Sequence, residues 1–167
     1  VQSQFSPILT PHGDQLGRLW LAKDVTERRR HEQTLERLAS TDTLTGLANR
    51  RAFMERLEPE CARQASGGPG GMVLMLDLDH FKRVNDTWGH ATGDVVLVHL
   101  ARMLKGNLLR SHDLAGRLGG EEFAVLLPGT TAQEATAIGE RLRHALEQSR
   151  IHAGDGTIFQ VTMSIGA

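Results

Sequence analysis

The chain has 167 residues, 40% of them hydrophobic and 23% charged, with 19 Lys plus Arg against 20 Asp plus Glu. A chain of this length buries roughly 70% of its unfolded surface, so it needs no disulfide framework or structural metal, and its one cysteine, Cys61, could supply neither. A formal net charge of −1 gives no basic field for nucleic acid, and the longest clean apolar run, Met72 to Leu76, is far shorter than the ~20 residues that span a bilayer. Neither nucleic acid nor a membrane is therefore an expected partner of this stretch. A lone thiol is compatible with a reducing cytoplasm, and Cys61 is expected to be a small buried apolar residue.

In chain order, Gln4 to Asp24 carries Pro7, Pro11 and the turn signal His12, Gly13, Asp14 ahead of Leu16, Leu19, Trp20 and Leu21, and reads as a β-hairpin. Two strands alone are marginal in water, so residues 1–24 are expected to be the last strands of a preceding domain. Residues 25–40 read as a linker helix, with Thr26 as N-cap and Leu35 and Leu38 as a thin apolar stripe. Such a polar helix is either solvated or paired with a second copy as a short parallel coiled stalk.

From Thr41 helix and strand alternate. Arg50 to Gln64 reads as a helix with Phe53, Leu57 and Cys61 on one face, which Pro59 should kink or split. Met72 to Asp79 is an apolar strand ending in two acids. Phe81, Val84 and Trp88 fit a short helix. Asp94 to Lys105 fits a longer one, with Val95, Val98, Ala101 and Met103 or Leu104 facing inward. Leu114 to Leu118 and Phe123 to Leu127 form a hairpin about Gly119 and Gly120, Thr131 to Ser149 is an amphipathic helix, and Ile158 to Ile165 alternates as one strand. The order predicts a mixed α/β (α+β) sandwich with an antiparallel hairpin in its sheet.

Three clusters can carry chemistry. Asp77 and Asp79 leave one sheet face at a strand end, where one or two carboxylates together with substrate phosphates suit Mg2+; Asp79 alternatively caps the next helix. Gly119 and Gly120 let a ligand approach the backbone directly ahead of Glu121 and Glu122; Glu121 and Asp77 share one or two divalent ions if the two elements are neighbours, and the glutamates are otherwise a solvated turn. Lys82, Asn85 and Asp94 surround a turn between helices. A carboxylate there accepts the paired N1 and N2 donors that distinguish guanine from adenine, although Asp94 also suits a helix N-cap and Lys82 a surface.

Four segments in register, Asp42 to Arg51, Asp77 to Asp86, Gly89 to Asp94 and Gly119 to Phe123, resemble the GGDEF domain family, the diguanylate cyclases of bacterial signalling. The resemblance runs from about Thr41 to Ala167 and implies a fold similar to the palm of nucleotide cyclases and polymerases. It implies condensation of two GTP into cyclic di-GMP with release of two pyrophosphates, across a homodimer of such domains. Asp77, the Leu78 carbonyl and Glu121 would hold Mg2+ or Mn2+, with Glu122 a further metal or proton-handling group. Lys82 would meet the phosphates, Asn85 and Asp94 would read guanine, and Gly119 and Gly120 would admit the nucleotide. Arg110 and Asp113 match the family's RxxD product-inhibition site. The run Asp24 to Arg29 resembles the junction of a PAS sensor domain with such a domain, which makes an upstream sensor an expected partner. The family normally continues past the point where this chain stops, so residues 41–167 are expected to be incomplete at their carboxyl end. The alternative is a catalytically silent module that binds GTP or cyclic di-GMP, against which the intact Glu121 and Glu122 argue.

Overall fold

The computed structural model describes residues 2–9, 11–12, 15–23, 26, 39–106 and 108–167. The chain divides into two compact units, residues 1–39 and 40–167. In the first, β1 (Gln2–Leu9) and β2 (Gln15–Lys23) pair antiparallel with a register shift at Ile8/Leu9, as the hairpin reading expects. The helix expected over 25–40 falls almost wholly outside the described residues.

The second unit runs β3 (Ala48–Asn49), α1 (Arg50–Ala65), β4 (Gly71–Leu78), α2 (Phe81–Trp88), α3 (His90–Lys105), β5 (Leu114–Gly119), β6 (Glu122–Pro128), α4 (Ala132–Glu147), β7 (Ile151–His152), β8 (Ile158–Phe159) and β9 (Met163–Gly166). Its five-stranded sheet has the order β3-β5-β6-β4-β9; β3 lies parallel to β5 and every other pair is antiparallel. This is the mixed sheet flanked by helices that the element order predicts.

The period-two pattern of β4 makes the sheet two-sided. Leu74, Leu76 and Leu78 are buried on one face, while Met75 and Asp77 are exposed on the other. The buried face meets Val96, Leu97, Leu100 and Leu104 of α3 and Ala135, Ile138, Leu142 and Leu146 of α4 in the main core. Each Val, Leu or Ile among them contributes roughly 1.5–3 kcal/mol by leaving water. On the other face Phe53 of α1 packs with Ala124 and Leu126 of β6, with Gly116 of β5 beneath it and Val73 of β4 at the edge of the cluster, so the far end of β4, with Met75 and Asp77, and β9 stay accessible. α4 opens with a capping box, in which Thr131 and Glu134 satisfy each other's backbone donors.

Several expectations are corrected. α1 is one unsplit helix through Pro59. Pro59 and Glu55, whose carbonyl loses its intrahelical donor, both lie on the exposed side of the helix. Cys61 is exposed too, because the second half of α1 carries mostly charged and polar residues and lies beyond the core. α3 begins at His90, four residues before the expected start, so Asp94 is not its N-cap; Gly89, at φ 79°, breaks the chain between α2 and α3 instead. The buried stripe of α3 is Val96, Leu97, Leu100, Ala101 and Leu104, while Val95 is 47% exposed. Close packing of Gly93 against α2 sets that rotation. The stretch from Ile158 to Ile165 is two strands, since β8 pairs with β7 and β9 with β4. Its alternation reported burial of Val161 and Met163, which is blind to the change of partner.

Candidate active site

β4 and β6 pair so that Asp77 stands directly opposite Glu122, which in turn pairs with Gly119 across the hairpin turn. Directly opposed residues have Cβ atoms about 5 Å apart on one sheet face. The acids closing β4 and those following the paired glycines therefore converge. They do so on the open face, beside a recess of about 350 Å³ lined by Met75, Asp77, Glu122 and Ser164. Partial desolvation against the sheet pushes the Asp77 carboxyl above its usual range, and the charges of Glu121, Glu122 and Asp79 push it further in that direction. Gly120 closes the turn at φ 46°, a left-handed conformation that costs a glycine little.

Asp79 takes a different part from its neighbour. Its two carboxylate oxygens accept hydrogen bonds from the Thr162 and Ser164 hydroxyls, each at 2.6 Å, and its N–H donates to the Thr162 carbonyl at 3.0 Å. Those hydroxyls hold the carboxyl below its usual range. It does not cap α2: the N-cap is His80, at φ 57° the one non-glycine residue with positive φ among the described residues, and it makes no side-chain capping bond. Asp79 thus ties the turn after Leu78 to β9.

The hairpin tip is anchored by a residue that sequence reading missed. Arg117 donates through Nε and Nη2 to the Gly120 carbonyl, at 3.0 and 2.8 Å, and through Nη1 to Asp42 Oδ1 at 3.2 Å. Asp42 also accepts from the Thr45 N–H and hydroxyl, at 2.9 and 2.6 Å, so the loop opening the domain and the glycine pair form one network. The available signal was an arginine on a strand whose neighbour Gly116 is buried under Phe53.

α2 and α3 bring Asn85 against the backbone at Gly93, beside Asp94, and Lys82 lies in the first turn of α2. The Thr92 hydroxyl donates to the Trp88 carbonyl at 2.9 Å and fixes the junction of the two helices. Arg110 and Asp113 are elsewhere, before Leu114, at the end of β5 remote from Gly119, so about 17 Å of strand intervenes. There the Arg110 N–H donates to Asp113 Oδ2 at 2.7 Å, and both residues line a cavity of about 530 Å³ with Gly46 and Lys105.

Among the described residues no three acidic, histidine or cysteine side chains form a ready-made metal cluster. The donors on the open face are carboxylate oxygens, whose chemistry fits a hard cation completing its shell with water and phosphate oxygens. Mutual repulsion among these acids is what a cation would relieve.

Residues 39–167 match the family described as "Diguanylate cyclase, GGDEF domain", and the chain belongs to that family. It is 44% identical over 136 residues to the diguanylate cyclase DgcP of Pseudomonas aeruginosa, covering 81% of this chain and 20% of that protein. It is 39% identical over 166 residues to DgcM of Escherichia coli, covering 99% of this chain and 39% of that one. The chain thus spans well under half the length of these relatives. Among solved structures it resembles the coiled coil and GGDEF domain of DgcB from Caulobacter crescentus, in complex with c-di-GMP, with TM-score 0.79 and 35% identity over 85% of this chain and 75% of that one. Among the described residues no helix is long and apolar enough to cross a membrane.

Proposed function

We propose that this chain is the catalytic region of a diguanylate cyclase, which joins two GTP into cyclic di-GMP and releases two pyrophosphates. The observation that carries the reading is the apposition of Asp77 and Glu122 beside Glu121 on the uncovered sheet face. Asp77, Glu121 and the Leu78 carbonyl are the groups assigned to Mg2+ or Mn2+. When bound, such an ion neutralises triphosphate charge and lowers the pKa of the attacking 3′-hydroxyl.

The chain's own residues supply position. Asp94 accepts the N1 and N2 donors of guanine, and the Asn85 amide beside it adds a second polar contact. Adenine would leave these groups unpaired, which penalises the wrong base by orders of magnitude. Lys82 meets phosphate oxygens as a point charge. Gly119 and Gly120 present bare backbone to the nucleotide, and Glu122 remains available to handle a proton. One domain holds one GTP, so the reaction needs two domains face to face, with residues 25–40 orienting them and an upstream PAS-like sensor, residues 1–24 being its last strands, biasing that orientation. Arg110 and Asp113 bind product at their separate cavity and slow turnover. The cytoplasm, where GTP is abundant, is the assigned compartment.

The test is incubation of the full-length protein with GTP and Mg2+, followed by identification of the nucleotide formed. Cyclic di-GMP from the parent and none from Glu121→Gln is the expected result. A monomeric cyclic product, or turnover retained in the variant, overturns the reading.

A further inference from the structure

Gly93 is buried within the second turn of α3, on the side facing α2. A Cβ placed there would stand 2.0 Å from Asn85 Oδ1, 3.0 Å from Asn85 Cγ and 3.2 Å from Phe81 Cζ. The first of these lies far inside any van der Waals contact, so the side chain of Asn85 occupies space that only a glycine at 93 leaves empty. The surroundings are fixed: Gly89 N–H donates to the Asn85 carbonyl at 2.9 Å, Gly93 N–H to the Gly89 carbonyl at 3.2 Å, and Thr92 clasps Trp88. The backbone can therefore yield little, and the movable part is the amide of Asn85, the outer end of a side chain with two rotatable bonds.

We propose that Gly93 is a specificity-determining residue, acting through Asn85: its bare Cα is the seat that holds the Asn85 amide beside Asp94, in the orientation that reads guanine. The inference rests on the guanine-reading role of Asn85 and Asp94. A methyl group at 93 turns the amide out of its seat. Turning a side-chain tip costs the fold little, so the damage falls on base recognition. An amide turned away from the base forfeits its hydrogen bond there and with it about tenfold or more in affinity, while the groups that meet the triphosphate, remote from the base, are untouched.

The test is a double-mutant cycle on the full-length protein, read by equilibrium binding of GTP and of ATP in Mg2+ and by the KM and kcat for GTP. Gly93→Ala is expected to weaken GTP binding about tenfold with ATP affinity unchanged, to raise KM more than it lowers kcat, and to keep the parent's circular dichroism and melting transition. In an Asn85→Ala background, which removes the clashing atoms, the same substitution is expected to change GTP affinity less than twofold. A Gly93→Ala protein with parental GTP preference overturns the inference, and so does an equal loss in both backgrounds, which would mark Gly93 as a packing residue only. A parent that binds GTP selectively without condensing it defeats the cyclase reading alone. A parent that binds GTP and ATP alike defeats both.

Discussion

The guanidinium of Arg117 is shared between the Asp42 carboxylate, 3.2 Å away, and the carbonyl of Gly120, reached by two donors at 2.8 and 3.0 Å. One planar side chain thereby locks the loop that opens the domain to the turn that carries the glutamates. Arg117→Ala is expected to destabilise the protein by about 1–2 kcal/mol and to reduce cyclic di-GMP synthesis at least tenfold, chiefly in kcat. Arg117→Lys should rescue little, since an ammonium lacks the rigid fork that serves both acceptors at once. Thermal unfolding beside steady-state rates checks both statements, and a fully active alanine variant would contradict them.

The same network sets a pH dependence. Burial raises the Asp42 carboxyl, but the Thr45 hydroxyl and N–H and the Arg117 guanidinium outweigh it and hold the group below the ordinary value of 3.8. A carboxyl depressed in the folded state stabilises the fold fully above its unfolded value, and that contribution fades as pH falls through the folded one. Asp42→Asn should therefore be less stable than the parent at pH 7, with the gap closing below about pH 4. Urea midpoints of both proteins at pH 7, 4.5 and 3 measure it; a gap independent of pH would mean the charge is irrelevant.

Asp77 and Glu122 face each other with like charge, and opposed like charges cost a strand pair up to about 1 kcal/mol. Asp77→Asn is accordingly expected to raise the melting temperature of the metal-free protein slightly while abolishing synthesis. Adding Mg2+ and GTP should then stabilise the parent and leave the variant nearly unchanged. Equal stabilisation of both proteins would remove Asp77 from the cation site.

Asp79 predicts the opposite sign in stability. Removing its carboxylate strands the hydroxyls of Ser164 on β9 and of Thr162 just ahead of it, so Asp79→Ala should destabilise by under about 2 kcal/mol and lower turnover through the loosened turn. Ser164→Ala, which leaves Thr162 bonded, should fall between that variant and the parent in both measurements.

Arg110→Ala is expected to relieve product inhibition with the initial rate unchanged, because its cavity lies at the far end of β5 from the glycine pair. Progress curves with and without added cyclic di-GMP decide it; inhibition unaltered by the substitution would reject the assignment.

How much of this was readable in advance follows from what sequence encodes locally. The alternation in β4 and the paired glycines of the hairpin rest on neighbours in the chain, so both elements and the acids at their ends were visible. The apposition of Asp77 and Glu122 depended on strand pairing, which local pattern does not specify, and it was a conjecture until β4 was seen beside β6. Arg117, Thr162 and Ser164 escaped notice because their partners lie 75, 83 and 85 positions away in the chain. The rotation of α3 was misjudged for a related reason: the helix was expected to begin at Asp94, which left Gly93 outside it, whereas the contact of Gly93 with Asn85 decides which side of the helix turns inward.

Cys61, exposed on α1 beyond the part of that helix that covers the sheet, is the sole thiol in the 167 residues. Within this stretch a maleimide fluorophore or nitroxide will therefore attach at one defined point, with no cysteine introduced or removed there. The separation between two such labels, measured by energy transfer or pulsed electron resonance as GTP is added, gives a ruler for how two copies approach each other.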